Sequence, residues 1–260
     1  MEYFIDDVTL PIIKENGYKR ILEIGASLGD NSRHVLNVPG SHLTIIDPGY
    51  DCDLAKKFSE RNNLTVMKAV SLKGLSQVQS SFDCIFIDGD HNWYTVYNEL
   101  KIIAEHNLLK AGGTIFFHDV GWPYGRRDMY YTPELIPAEF RKPYAKKGMW
   151  PGQSSLDDHE GFNPHYFNAL EEGGGRNGVL TAIEDFVRDF GQGDYFFLMD
   201  HRQHGLGILI RRKDRQTSSL VRRWFFKLKY IEVKTAVEDF LKSKCPTLAK
   251  TLIQIKKVIK

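Results

Sequence analysis

Ile21-Leu22-Glu23-Ile24-Gly25-Ala26-Ser27-Leu28-Gly29-Asp30 reads as a compact apolar strand entering a turn of small residues. A helix is expected to begin at Asp30 or Asn31, whose short polar side chains can cap it. Small residues permit a tight turn and let a ligand approach the backbone. In an open α/β sheet, the crevice beyond such a strand is where ligands bind. The spacing lacks the Gly-x-Gly-x-x-Gly fingerprint of dinucleotide sites, and no Lys-Ser or Lys-Thr pair follows to complete a phosphate loop. Asp47 lies 22 residues beyond Gly25, at the end of the next apolar run, where a carboxylate can accept both hydroxyls of a ribose.

The same alternation continues in both directions. Phe4 to Glu15 suits a short helix before Gly17. His42 to Ile46 is a second strand, broken by Pro48 and Gly49 before a helix through Lys56 and Phe58. Leu64 to Val70 is a third strand, followed by a polar helix around Leu75. Phe82 to Ile87 is a fourth, followed by a helix from Tyr94 to Asn107, and Thr114 to Phe117 is a fifth. Near-continuous apolar strands separated by helices indicate parallel strands covered on both faces. From Gly121 to Asn177 the alternation stops and Trp, Tyr and Pro accumulate, a length that suits a lid or substrate-binding insertion. A helix fits Gly178 to Phe190, and Tyr195 to Met199 with Leu206 to Ile210 form a closing antiparallel pair. The expected fold is therefore a doubly wound α/β domain, residues 1–212. Its sheet is mostly parallel and seven-stranded, with a terminal antiparallel pair and the insertion 121–177 after the fifth strand.

With 260 residues, 42% hydrophobic and 26% charged, the chain is expected to be a soluble globular protein with one substantial core. The net charge of +2 averages two unlike parts. Residues 1–212 hold 22 Lys or Arg against 29 Asp or Glu, whereas residues 213–260 hold 13 against 4. In that basic tail, Leu220, Trp224, Phe225, Leu228, Ile231 and Val237 can form an apolar helical stripe among Arg222, Arg223, Lys227, Lys229 and Lys234. Such a helix can pack on its own domain or lie on an anionic surface. Cys52, Cys84 and Cys245 have no metal-type spacing and are read as free thiols. The opening MEYFIDDVTL lacks the order of a secretory signal, so a cytoplasmic location is expected, with the tail able to touch the inner face of a membrane.

Chemistry gathers at the ends of the fourth and fifth strands. Asp88, Asp90 and His91 follow the fourth, and His118 and Asp119 close the fifth. If the two strands are neighbours, these groups share one crevice. Carboxylates suit Mg²⁺, whereas imidazole favours a softer divalent ion. Each aspartate could equally end a strand by bonding loop backbone.

Residues 22–32, LEIGASLGDNS, resemble the first motif of class I S-adenosylmethionine-dependent methyltransferases, and Asp47 matches that family's acidic residue after the second strand. Residues 82–93, FDCIFIDGDHNW, followed by 112–120, GGTIFFHDV, resemble the fourth-to-fifth-strand region of divalent-metal-dependent small-molecule O-methyltransferases. The resemblance covers residues 18–120 in sequence and 178–212 in architecture. It implies S-adenosylmethionine held by Glu23, Gly25, Ser27, Gly29, Asp47, Ser71 and Asp88. It also implies a divalent ion, magnesium first, on Asp88, Asp119 and His118. His118 stands where that family usually has a hard oxygen ligand, so Asp90 could replace it as ligand and His118 could move a proton instead. His91 could be a base, a support for the site or a helix cap. The catalytic set is thus Asp88, His91, His118 and Asp119, acting on a hydroxyl of a small molecule such as a sugar or hydroxylated natural product.

Trp122, Tyr124, Tyr130, Tyr131, Tyr144 and Trp150 offer substrate walls in the insertion. Arg126, Arg127 and Arg141 offer contacts for acidic groups, and His159 and His165 further polar ones. The rival readings are an NAD-dependent oxidoreductase, a non-haem iron oxygenase, and a non-enzymatic membrane or nucleic-acid binding module. The expected partners are a small-molecule hydroxyl acceptor and, at the tail, an anionic membrane or a docked protein. A homo-oligomer is compatible with the sequence, and nucleic acid is not expected.

Overall fold

A computed structural model of the chain describes residues 1–191, 193–227 and 230. Its strands are β1 Arg20–Ile24, β2 His42–Asp47, β3 Leu64–Lys68, β4 Phe82–Ile87, β5 Leu109–His118, β6 Met129–Tyr130, β7 Tyr144–Lys146, β8 Phe167–Ala169, β9 Tyr195–Asp200 and β10 Leu206–Arg211. Its helices are α1 Glu2–Phe4, α2 Leu10–Glu15, α3 Asp30–Leu36, α4 Leu54–Lys57, α5 Ser71–Gln77, α6 Trp93–Glu105 and α7 Val179–Asp189, with a π-helical Ile5–Thr9 between the first two. Seven strands form one sheet in the order β3-β2-β1-β4-β5-β10-β9. The first five are parallel, and β10 and β9 are antiparallel additions beside β5. This is the doubly wound, seven-stranded sheet with a closing antiparallel pair that the apolar runs predict.

Strand parity divides the core. Ile21, Cys84, Phe86, Phe116, Ile208 and Ile210 point to one face, where Phe4, Ile5, Val8, Ile12 and Val35 cover them. Leu22, Ile24, Ile85, Ile87, Ile115, Phe117 and Leu209 point to the other, under α6 and α7 through Leu100, Ile103, Ile183 and Phe186. Each such buried side chain stabilises the fold by roughly 1.5–3 kcal/mol relative to exposure.

Two local expectations are corrected. The fifth strand begins at Leu109, earlier than Thr114, because a register shift opposite Phe82 and Cys84 absorbs extra residues where Gly112 takes φ +76°. The polar residues at the start of α3 do not cap it: the N-cap is Gly29, with no side-chain hydrogen bond, and Asn31 and Ser32 turn inward. The insertion has structure of its own: β6, β7 and β8 form a second, three-stranded sheet in the order β6-β8-β7.

Residues 215–227 are helical and pack on the domain itself, with Val221 and Phe225 in the core and Trp224 donating its indole hydrogen to Glu15. The remaining stripe and basic positions, Leu228, Lys229, Ile231, Lys234 and Val237, lie outside the described residues, as does Cys245. Cys52 and Cys84 are free thiols. Among the described residues, no helix is long and apolar enough to cross a membrane.

Glu99 on α6 is fully buried, and neither carboxylate oxygen closes a hydrogen bond. Burial pushes its pKa from 4.5 to about 8; the nearby Ser71 hydroxyl opposes the shift and the Asp90 charge adds to it. The unfolded chain loses this proton near pH 4.5 while the folded chain keeps it to about pH 8, so stability is fully present below pH 4.5 and falls across that window. Glu99→Gln is therefore expected to melt like the wild type near pH 4.5 and to be more stable at pH 9 by about 5 kcal/mol. Thermal melts of both proteins across pH check this, and a constant difference at every pH would refute it.

Candidate active site

The parallel register fixes where the chemistry can meet. Ile24 pairs with Ile87 and Ile87 with Phe117, so β1, β4 and β5 end at one level, and the Asp88 amide continues the ladder by donating to the Ile24 carbonyl. Gly25 follows β1 with φ +77°, and a Cβ placed there would stand 2.2 Å from Gly89 Cα. The turns after β1 and β4 therefore touch backbone to backbone, which glycine alone allows.

A cavity of about 310 Å³ opens over this contact. Gly25, Ser27, Asp47, Ser71 and Asp88, all expected on the cofactor, line it together with Asp51, Asp90 and Asn92. Asp47 also ties the turn down: Oδ2 accepts from the amides of Ala26 and Ser27 at 2.8 and 3.0 Å, and Oδ1 accepts from Gly49 at 2.6 Å. Two residues expected on the cofactor do not line the cavity. Glu23 is directed by strand parity under α3, where it accepts hydrogen bonds from Asn31 and Ser32, and burial raises its pKa to about 7 against those two bonds. Gly29 faces the Phe58 ring, 2.7 Å from where its Cβ would be.

The opposite wall comes from the insertion: Tyr130, Tyr131, Thr132, Leu135, Ile136 and Tyr166. Of the aromatic residues expected there, only Tyr130 and Tyr131 line the cavity. Trp122 packs on Phe162, Tyr124 near His91, and Tyr144 against Tyr130 and Phe167. Neither Trp150, Arg141, His159 nor His165 is among the lining residues. The arginines expected to recognise acidic groups are engaged: Arg126 with Glu184, and the fully buried Arg127 with the Ala169 and Ser154 carbonyls, near Glu172. Asp128, also buried, accepts from the amides of Trp93 and Gly178 and from the Tyr130 hydroxyl. Asp128 thus locks the insertion to the starts of α6 and α7, and Arg127 ties segments of the insertion to one another. Asn92, not His91, caps α6 by accepting from the Thr95 amide.

At the rim, Asp119 Oδ2 accepts from His91 Nε2 at 2.8 Å and from His118 Nδ1 at 2.9 Å. Burial would raise the Asp119 carboxyl, but the two histidines outweigh it and hold it far below the usual carboxylate range. His118 Nδ1 also lies 3.3 Å from Asp88 Oδ1, and its Nε2 donates to the Gln203 carbonyl at 3.1 Å. Both ring nitrogens thus meet acceptors and both carry hydrogen, so His118 is an imidazolium. Burial opposes that charge, yet Asp88 and Asp119 raise the pKa to about 10. With Nδ1 on Asp119 and Nε2 on the Gln203 carbonyl, His118 is not among the ligand atoms that converge in the described residues. His91 takes its place: Asp88, His91 and Asp119 each offer a ligand atom, all within 4.8 Å of one another. His91 Nδ1 is buried without a hydrogen-bond partner. Two carboxylates and one imidazole, its Nδ1 orphaned, form a donor set that fits a divalent ion or a proton-transfer centre.

Residues 22–120 match a family model described as a methyltransferase domain. Among solved structures, the chain is similar to the SAH-bound methyltransferase of Podospora anserina, at 17% identity over 80% of this chain and 81% of that one, TM-score 0.50. It is also similar to a candidate caffeoyl-CoA O-methyltransferase from Staphylococcus aureus, at 19% over 77% and 79%, TM-score 0.47. A third is the 1,6-didemethyltoxoflavin-N1-methyltransferase of Burkholderia thailandensis, at 13% over 81% and 78%, TM-score 0.46. No curated protein matches the chain. The domain match and the first of these likenesses show a class I S-adenosylmethionine-dependent methyltransferase fold.

Proposed function

We propose that this protein transfers a methyl group from S-adenosylmethionine to a hydroxyl of a small molecule, with help from a divalent ion. The observation that carries the reading is the convergence of Asp88, His91 and Asp119 within 4.8 Å, beside a cavity built on the Gly25 turn. Gly25, Ser27, Asp47, Ser71 and Asp88 hold the cofactor, with Asp47 using the one Oδ1 lone pair that its three backbone contacts leave. When bound, the cofactor supplies an activated methyl on a sulfonium. An ion on Asp88 and Asp119, magnesium being the first candidate, supplies charge that favours an ionised acceptor oxygen.

The protein's own part is orientation and proton removal. Asp119 accepts from His91 Nε2 and so fixes the tautomer whose Nδ1, buried and without a partner, carries no hydrogen and can receive the acceptor's proton. His118, held cationic, keeps Asp88 and Asp119 in place. The acceptor oxygen forms its bond to the methyl carbon as the carbon–sulfur bond breaks; sulfur keeps the electron pair, and the hydroxyl proton goes to His91. The domain match lends no support to the oxidoreductase, oxygenase or binding-module readings.

The test is single-turnover transfer of a labelled methyl group with wild type and His91→Gln, alongside cofactor titration by calorimetry. The variant is expected to bind S-adenosylmethionine normally and to lose transfer by about a hundredfold. Divalent-ion affinity that stays within about threefold fits a base; a collapse of that affinity makes His91 a ligand instead. An unchanged transfer rate removes His91 from the reaction.

A further inference from the structure

The two walls of the cavity carry different chemistry. On the sheet side stand Asp47, Asp51, Asp88 and Asp90, and among the described residues lining the cavity there is no Lys, Arg or His. The guanidinium groups just before the insertion wall are committed elsewhere. Arg126 makes hydrogen bonds of 2.6 and 2.7 Å to Glu184, and Arg127 is buried against backbone carbonyls. On the insertion side the Tyr131 and Tyr166 rings stand at 87° with centroids 5.5 Å apart, and Tyr131 lies 5.8 Å from the His91 ring. Both tyrosines are partly open to solvent, so together they form an apolar corner next to the proton acceptor.

The carboxylates match the cationic groups of the cofactor and of a divalent ion, and among the described residues no lining side chain is cationic; the nearest cations, the Met1 ammonium and His118, are already paired with Asp88 and Asp119. An acceptor bearing phosphate or carboxylate would meet like charge in a partly desolvated space, where screening is weak. Unpaired like charge is a strong discriminator between otherwise similar ligands. A ring can instead lay its C–H face on one tyrosine and abut the other, gaining apolar contact and a fixed orientation.

We propose that the acceptor is a ring compound, a polyol or a phenol, whose periphery is uncharged or amine-bearing, and that phosphorylated, carboxylated and nucleotide-linked acceptors are rejected. This rests on the methyl-transfer reading of the same site.

The full chain, labelled-methyl S-adenosylmethionine and Mg²⁺ are incubated with a mixed metabolite extract divided on an anion exchanger into unretained and retained pools. Calorimetry confirms cofactor binding separately. Label is expected in the unretained pool at about ten times the level in the retained pool or more. Leu135→Arg, at an exposed lining position, adds a cation to the insertion wall. It is expected to raise retained-pool labelling relative to unretained by about fivefold. Label confined to the retained pool with the wild type overturns the charge proposal and leaves methyl transfer standing. Label in neither pool, with the cofactor bound, overturns the transfer reading and this proposal with it.

Discussion

Replacing Asp119 by Asn is expected to lower single-turnover methyl transfer by roughly a thousandfold while leaving S-adenosylmethionine affinity within about threefold. Asp119 Oδ2 receives hydrogen bonds from both His91 and His118, so one atom aligns the proposed base and neutralises the imidazolium. An amide keeps one oxygen for these bonds but loses the charge that favours both histidine contacts. Asn is the informative choice because Asp119 has φ +57°, a left-handed conformation that Asn tolerates and Ala does not. The backbone should therefore survive and the chemistry should not. Asp119 does not line the cavity around Gly25, which is why binding and transfer should separate. The measurement is transfer rate and cofactor affinity for both proteins, with and without a divalent ion. An unchanged rate with unchanged metal dependence would sink the assignment, and so would loss of affinity in proportion to rate.

The sheet was legible because its central strands are unbroken apolar runs, a pattern that burial on both faces imposes. The bulge in β5 was not: the pair Gly112-Gly113 resembles an ordinary turn until the partner strand shows extra residues to accommodate. Much of the cavity's sheet wall was also legible, since residues at strand ends need only the strand order to converge. Glu23 was misread for a reason parity exposes, as it alternates with Leu22 and Ile24 and so faces α3. His91 and His118 differ little as sequence, and only the fold puts the Gln203 carbonyl behind His118 while leaving His91 Nδ1 without a partner.

The insertion wall was the least legible part. Thr132, Leu135, Ile136 and Tyr166 reach the cavity along an irregular path that no periodicity encodes. That path is set by Arg127 and Asp128, both fully buried, whose long-range partners lie 26 to 50 residues away. Arg126, one residue earlier, lies on the surface with Glu184, so neighbouring arginines with the same local sequence context have opposite roles. A charge that ends up buried cannot be told from an exposed one until its long-range carbonyl acceptors are known.

The glycine turn makes the second large prediction. Gly25→Ala is expected to abolish measurable S-adenosylmethionine binding, with affinity falling by about a hundredfold or more, and to lower stability by about 2–5 kcal/mol. Two costs combine. Alanine is strained at φ +77°, and its Cβ would lie 2.2 Å from Gly89 Cα and 2.6 Å from the Asp88 carbonyl oxygen, backbone atoms that cannot rotate aside. Relief requires the β1 and β4 turns to part, which moves Ser27 and Asp88, two lining residues, at once. Gly29→Ala is the matched control. It carries a similar φ of +79°, but its Cβ would meet the tip of the Phe58 ring, and Gly29 does not line the cavity. That variant should lose about 1–3 kcal/mol of stability and keep its cofactor affinity. Calorimetric titration and thermal melts of both variants separate strain from site geometry. If Gly25→Ala binds as tightly as Gly29→Ala, the contact between the two turns is not what shapes the cofactor site.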